Sequence, residues 1–377
     1  MTRFPVPNPI TTTWLTAVLR ASGPLSLGEV VTVTQQASAA FNSQTSFLHV
    51  AYSDDAPLDL PTAFVLKQNE MADWAKAAGA EEVKFYQTVD ALPDHPAITV
   101  PCYAAAYDEA SGDSYLLLQD LSITHAPPVP RDVQLLMGEE GVPSKLVIGA
   151  VVDTLAQLHA YWWQHKLLTR DIFPIGYWSR NADRFAQYLA RRNASWARLY
   201  DQAQDWFPTE LRTFYEQLFD HLEDHWATHL HPRFQTNEQI TLIHGDAYFA
   251  NFLSPKAGAT GRTYLIDWQS PGFGLGAYDL VNLCATFWTS QQRNKLDREM
   301  SILQRYHQGL QRHGVTNYSW TQLLADYRSG LIFWVLMPVQ DGADGAAKSY
   351  WWPKMQCLLA AFEEWECAEI LGLPSGQ

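Results

Sequence analysis

Two apolar stretches between Thr241 and Gln269 are punctuated by three residues able to do chemistry. Asp246 and Asn251 stand in Ile243-His244-Gly245-Asp246-Ala247-Tyr248-Phe249-Ala250-Asn251-Phe252, and Asp267 in Tyr264-Leu265-Ile266-Asp267-Trp268-Gln269. A spacing of five lets an aspartate face an acceptor hydroxyl while the asparagine side-chain oxygen turns toward a metal. A carboxylate ending the next strand supplies a further oxygen. Mg²⁺ suits such a set, because it prefers oxygen ligands and usually keeps only one or two from protein. Taken singly, each residue also has a structural reading as a turn or strand-end residue. Taken in order, the three imply phosphoryl transfer to a hydroxyl.

Such a set has to be held by rigid elements. The first third reads as mixed strand and helix. A helix is expected over residues 11–21, strands over 29–35, 45–52 and 63–67, a helix over 81–89, and strands over 97–107 and 114–119 separated by Ser111, Gly112 and Asp113. This predicts a small antiparallel sheet with one inserted helix. After the proline-rich stretch 126–130 the texture changes to helical periodicity. Val147, Val151, Leu155, Leu158 and Trp162 recur every three or four residues and define one apolar face. Further helices are expected near 182–200, 209–230, 291–312, 321–336 and 354–371, and only 239–269 reads as strand and loop. The expected fold is α+β, with an N-terminal sheet lobe over 1–120 and a larger, mainly helical lobe over 121–377.

Composition excludes several partners. The chain has 377 residues, 47% of them hydrophobic and 18% charged, enough to bury a sizeable core. Its 26 Lys and Arg face 40 Asp and Glu, and a net charge of -14 repels nucleic acid and anionic membrane surfaces. Neither is an expected partner. The first nine residues lack the apolar run of a signal peptide, and nowhere do about 18 apolar residues follow one another, so a cytoplasmic location is expected. Cys102, Cys284, Cys357 and Cys367 are scattered, without the close pairs of zinc sites or a disulfide framework.

His244-Gly245-Asp246 with Asn251, and Ile266-Asp267-Trp268-Gln269 with Tyr278-Asp279-Leu280, closely resemble the aminoglycoside phosphotransferase and choline kinase superfamily, nearest to its ecdysteroid-kinase-like small-molecule phosphotransferases. Leu155-Ala156-Gln157-Leu158-His159-Ala160 and Glu82-Val83-Lys84-Phe85-Tyr86 extend the likeness. The resemblance implies a protein-kinase-like bilobal fold with ATP and Mg²⁺ as cofactors and a small-molecule hydroxyl as acceptor. Asp246 is then the catalytic base, and Asn251 and Asp267 hold the metal. Lys67 contacts the nucleotide phosphates and Glu82 holds it by an ion pair; Glu81 is the rival, since helix neighbours point about 100° apart. The segment from Leu116 to Leu121 resembles the hinge, which puts adenine against the backbone of Gln119 and Leu121. His244 and Asp279 shape the catalytic loop, and His159 is a structural histidine.

One departure concerns the turn Ala37-Ser38-Ala39-Ala40-Phe41-Asn42-Ser43-Gln44, which has no glycine where kinases use a Gly-rich loop. Ser38 and Ser43 are its candidate phosphate donors. That gap keeps a nucleotide-binding pseudokinase as the alternative, against which the retention of Lys67, Asp246, Asn251 and Asp267 counts. Neither Asp-Phe-Gly nor Ala-Pro-Glu occurs to bound a protein-kinase activation loop. Trp334, Tyr350, Trp351 and Trp352 offer aromatic walls for an acceptor or simply core. Steroid, macrolide, aminoglycoside and choline-like acceptors are all compatible with the sequence.

Overall fold

Val30–Ala39 (β1) and Ser43–Tyr52 (β2) begin an antiparallel sheet in the computed structural model, which describes residues 4–39, 43–169 and 180–373. Ala63–Asn69 (β3) pairs with β2, and Ser114–Gln119 (β5) lies between β3 and Cys102–Tyr107 (β4). The order is β1-β2-β3-β5-β4. Strand alternation sends Leu48, Phe64, Leu66 and Leu117 to a single buried core, which Trp14, Leu15, Val18 and Leu19 of helix α1 (Thr12–Ala21) complete. The Thr11 hydroxyl caps α1 by accepting from the Trp14 amide at 3.2 Å. Lys67, next to Leu66 on β3, points to the opposite face, toward helix α2 (Asp73–Asp90).

The hairpin differs from the expected loop over 37–44. Regular pairing continues through Ala37↔Ser46, Ser38↔Thr45 and Ala39↔Gln44, because no glycine or proline interrupts the ladder. The side chains of Ser38 and Ser43 lie outside the described residues. α2 also starts earlier than expected, its first turns being rich in alanine, the best helix former.

The chain divides into two compact units: Met1–Ala126 with Pro255–Pro271, and Pro127–Ser254 with Gly272–Gln377. In the second, helix Lys145–Tyr161 buries Val151, Leu155 and Leu158 completely, and Trp162 at its C-cap likewise. Strands Thr241–Ile243 and Gly272–Gly274 pair antiparallel beside it, with the Thr241 hydroxyl donating to the His159 carbonyl at 2.8 Å. Two of the long helical periods are broken in space. The stretch 291–312 turns at Leu296 and Asp297 (φ 57° and 52°) before helix Arg298–Arg312. The C-terminal period divides at Glu366 (φ 52°) into Lys348–Glu364 and Cys367–Leu371. In both places the apolar spacing continues through a left-handed break, so periodicity alone does not reveal it. Among the described residues no helix is long and apolar enough to cross a membrane.

Candidate functional site

In the first unit a lysine joins two carboxylates. Lys67 Nζ lies 2.6 Å from Glu82 Oε2 and 2.5 Å from Asp267 Oδ1. Glu82 reaches it because α2 packs closely on the sheet at Gly79, where a Cβ would collide with Ser114 Oγ. Glu82 is 3% exposed, and its other oxygen accepts from the Trp268 amide at 3.2 Å. One carboxylate thus ties the lysine to the Asp267-Trp268 peptide. Trp268 is fixed in turn by stacking on Phe85, with ring centroids 3.7 Å apart and planes at 11°. Asp267 has left-handed backbone (φ 64°), a conformation that a short polar side chain tolerates best after glycine. Glu81 makes no ion pair with Lys67.

Electrostatics follow from this crowding. Burial works against the Lys67 ammonium, but the charges of Glu82 and Asp267 more than offset it and raise its pKa above the ordinary lysine value. Burial also raises the Glu82 carboxyl, opposed by Lys67 and reinforced by the negative charge of Asp267. Both directions are physically consistent, because two carboxylates share one ammonium.

In the second unit the loop after strand Thr241–Ile243 is organised around Asp279. This residue lies inside the first turn of helix Ala277–Ala285, whose N-cap is Gly276. Its carboxylate accepts from the amides of His244 at 2.7 Å and Gly245 at 2.9 Å, and it contacts His159 Nε2 at 3.1 Å. Gly245 (φ 80°) permits two successive amides to converge on one carboxylate. His159 is fully buried, its Nδ1 2.8 Å from the Tyr306 hydroxyl. His244 Nδ1 accepts from the Asp246 amide at 3.3 Å.

Asp246 is gripped from two sides. Asn251 Nδ2 donates to its carbonyl at 2.9 Å and to Oδ2 at 3.1 Å, while Asn282 Nδ2 donates to Oδ1 at 3.3 Å. Because the Asn251 amide nitrogen is turned to Asp246, its Oδ1 faces the other way, available to a cation. Asn282 escaped sequence reasoning. The signal was Asp279-Leu280-Val281-Asn282, whose spacing of three puts both polar residues on one face of an otherwise apolar helix. Tyr306 was likewise missed, since nothing in its local sequence marks it.

At the hinge-like segment, the Gln119 amide donates to the Pro101 carbonyl at 2.9 Å. The Leu121 carbonyl accepts from the amides of Thr124 and His125 at 3.0 and 2.8 Å. Among the aromatic candidates, Trp351 is 4% exposed and packs with Trp352 against Trp206, with centroids 5.9 and 5.2 Å away. Tyr350 differs: Arg131 hydrogen-bonds both Tyr350 and Tyr248, and Tyr248 belongs to the Asp246 loop. Lys354 Nζ sits 3.5 Å from the Tyr350 ring centroid and 2.9 Å from Asp341.

The model of the phosphotransferase enzyme family (APH) matches residues 39–319. Among solved structures the chain is similar to the GDP complex of wild-type aminoglycoside 2'-phosphotransferase-IIIa, at 13% identity and a TM-score of 0.48, over 96% of this chain and 97% of that one. It is also similar to an ethanolamine kinase of Plasmodium vivax, at 11% identity and a TM-score of 0.47, over 88% and 82% of the two chains. A microcompartment-associated aminopropanol kinase matches at 12% identity and a TM-score of 0.43, over 96% and 100%. No curated protein sequence matches.

Proposed function

From the premise that this chain belongs to the phosphotransferase enzyme family, and so is a small-molecule phosphotransferase with a hydroxyl acceptor, we propose that ATP is its donor and Asp246 its catalytic base. Its fold is the kinase-like one, a small antiparallel sheet unit and a larger helical unit. The observation that carries the proposal is the grip on Asp246, whose carboxylate is oriented by Asn251 and Asn282 on a loop that Asp279 anchors. Phosphoryl transfer passes through a loose transition state, so positioning and charge contribute most of the catalysis. Asp246 orients the acceptor hydroxyl and takes its proton as the oxygen bonds to the γ-phosphorus and the bond to ADP breaks.

Lys67 is assigned to the nucleotide phosphates, charged at every working pH because two carboxylates flank it. Glu82 keeps it in place. Adenine is assigned to the Gln119 carbonyl and the Leu121 amide, since the Gln119 amide and Leu121 carbonyl are already engaged. Ser38 and Ser43 are assigned to phosphate at the hairpin. The candidate donors at the site, the Asn251 side-chain oxygen and the Asp267 carboxylate, are hard oxygens, the type Mg²⁺ prefers while completing its shell with phosphate and water. Mg²⁺ fits. Asn251 and Asp267 each offer an oxygen, and Lys67, Glu82 and Asp267 together leave one negative charge in excess. When bound, Mg²⁺ offsets the charge of the phosphate oxygens.

The test is transfer from ATP with Mg²⁺ to a panel of alcohols including aminoglycosides, macrolides, choline and sterols, read as a mass gain of one phosphoryl group. Asp246→Asn should lower turnover by about 10² to 10⁴-fold and leave Mg²⁺-ATP affinity within a few-fold. A transfer rate indifferent to Asp246→Asn would refute its role.

A further inference from the structure

A cavity of 520 Å³ opens in the helical unit, and none of its lining residues belongs to the Asp246 loop or the lysine cluster. Its size falls in the range of small-molecule sites, about 300–1,000 Å³. Helix Ala182–Ala203 supplies Arg191, Arg192 and Arg198 to the lining, and the segment around helix Met337–Ala343 supplies Gln340 and Asp344. Three guanidiniums face one carboxylate, an excess of two positive charges in a chain whose net charge is -14.

A solvated helix face accounts for Arg198, which has Asp201 three residues on and Asp344 at 3.3 Å, but not for Arg191 and Arg192. Such faces offset their cations with acids three or four residues away, but the residues at those spacings from Arg191 and Arg192 are Gln187, Tyr188, Leu189, Ala194, Ser195 and Trp196. Two guanidiniums are already oriented. Arg192 donates to Gln340 Oε1 and to Met337 Sδ, and lies 5.0 Å from the Tyr188 ring centroid. Arg198 donates to Ser195 Oγ and Asp344 Oδ1, both at 3.3 Å. A guanidinium has five N–H donors, so each retains several for a ligand. Arg191 is exposed, and among the described residues it has no carboxylate partner.

We propose that this cavity binds a small organic anion, a phosphate or sulfate ester, through Arg191, Arg192 and Arg198. The requirement is a compact anion that several guanidiniums can fork at once. A nucleic acid strand meets the repulsion of the whole chain instead.

Calorimetry with inorganic pyrophosphate, in EDTA and without nucleotide, tests the assignment on the full chain. Lys67→Ala serves as the background, so that phosphate binding at the lysine cluster does not contribute. Pyrophosphate should still bind there, and adding Arg191→Gln and Arg198→Gln should weaken it at least about tenfold. Arg191→Gln alone should weaken binding about threefold with an unchanged unfolding midpoint, since among the described residues this exposed side chain has no ion-pair partner. Two results would overturn the proposal: no pyrophosphate binding in the Lys67→Ala background, or binding indifferent to the arginine substitutions. An oligodeoxythymidine that bound more tightly than pyrophosphate and depended on the same arginines would assign the surface to a polymer and overturn it as well.

Discussion

Replacing Asp279 by asparagine turns one buried oxygen into an NH₂ group with almost no change of shape. In the native loop Oδ2 accepts from the His244 amide at 2.7 Å and lies 3.1 Å from His159 Nε2, while Oδ1 accepts from the Gly245 amide at 2.9 Å. An asparagine can be placed two ways, and both set an N–H against a backbone N–H. One charge-assisted hydrogen bond is lost, worth about 1.5–3 kcal/mol, and a donor buried without a partner costs about 1–3 kcal/mol more. Loop adjustment recovers part of that, leaving an expected loss of about 2–4 kcal/mol against a typical total of about 5–15. The protein should therefore still fold, with the turn at Gly245 displaced. Asp246 follows directly on that turn, and a displacement of about 1 Å at a reacting group costs on the order of 10² in rate. Urea unfolding and steady-state kinetics read the two effects separately. Turnover should fall by about 10²-fold or more while Mg²⁺-ATP affinity changes only a few-fold, because Lys67, Glu82 and Asp267 keep their own contacts. A stability loss under about 1 kcal/mol, or an unchanged turnover, would refute the bracing role of Asp279.

Two further changes separate function from folding. Burial already disfavours the Glu82 carboxylate, so Glu82→Gln should alter stability by less than about 1.5 kcal/mol, yet free Lys67 from one partner and reduce turnover more than about tenfold; an unaffected turnover would remove Glu82 from the mechanism. His225 is 4% exposed and 2.9 Å from Ser329 Oγ, and burial, with the charge of nearby His229 second, lowers its pKa from 6.5 to about 4. Below pH ~6.5 the unfolded chain binds a proton that the folded chain does not, so stability falls as pH drops toward 4 and levels off beneath it. Between pH 7 and 4.5 the wild type should lose about 2.5 kcal/mol that His225→Gln retains, and equal losses in urea titrations at the two pH values would exclude this histidine as a source of acid sensitivity.

Much of the fold was legible because the relevant signals are local. The apolar run over 63–67 was readable as a strand, in which Phe64 and Leu66 are buried, and the spacing from Val151 to Trp162 was readable as a helix face that is core. What escaped the sequence depends on backbone direction or on partners far along the chain. Left-handed residues at Leu296 and Glu366 break helices whose apolar spacing runs on undisturbed. Tyr306 meets His159 across 147 positions, and no feature of its own helix marks the pairing. Pro255–Pro271 clusters with the sheet unit although helical sequence surrounds it on both sides, a matter of tertiary contact rather than composition.

That last segment changes how the charges are organised. Lys67 and Asp267 are 200 positions apart, yet they and Glu82 belong to one compact unit, so the lysine cluster assigned to the nucleotide phosphates is assembled within it. Asp246, Asn251, Asn282 and Asp279 are assembled in the other unit by hydrogen bonds of their own, Asn251 and Asn282 to the Asp246 carboxylate and Asp279 to the loop amides. Substitutions in distinct networks without shared partners act additively to within about 0.5 kcal/mol. The affinity for nucleotide and the rate of proton acceptance should then be separable by mutation. Glu82→Gln and Asp279→Asn combined should show the sum of their stability losses, whereas Asp279→Asn and Asn282→Ala, both acting through the loop that presents Asp246, should fall short of theirs.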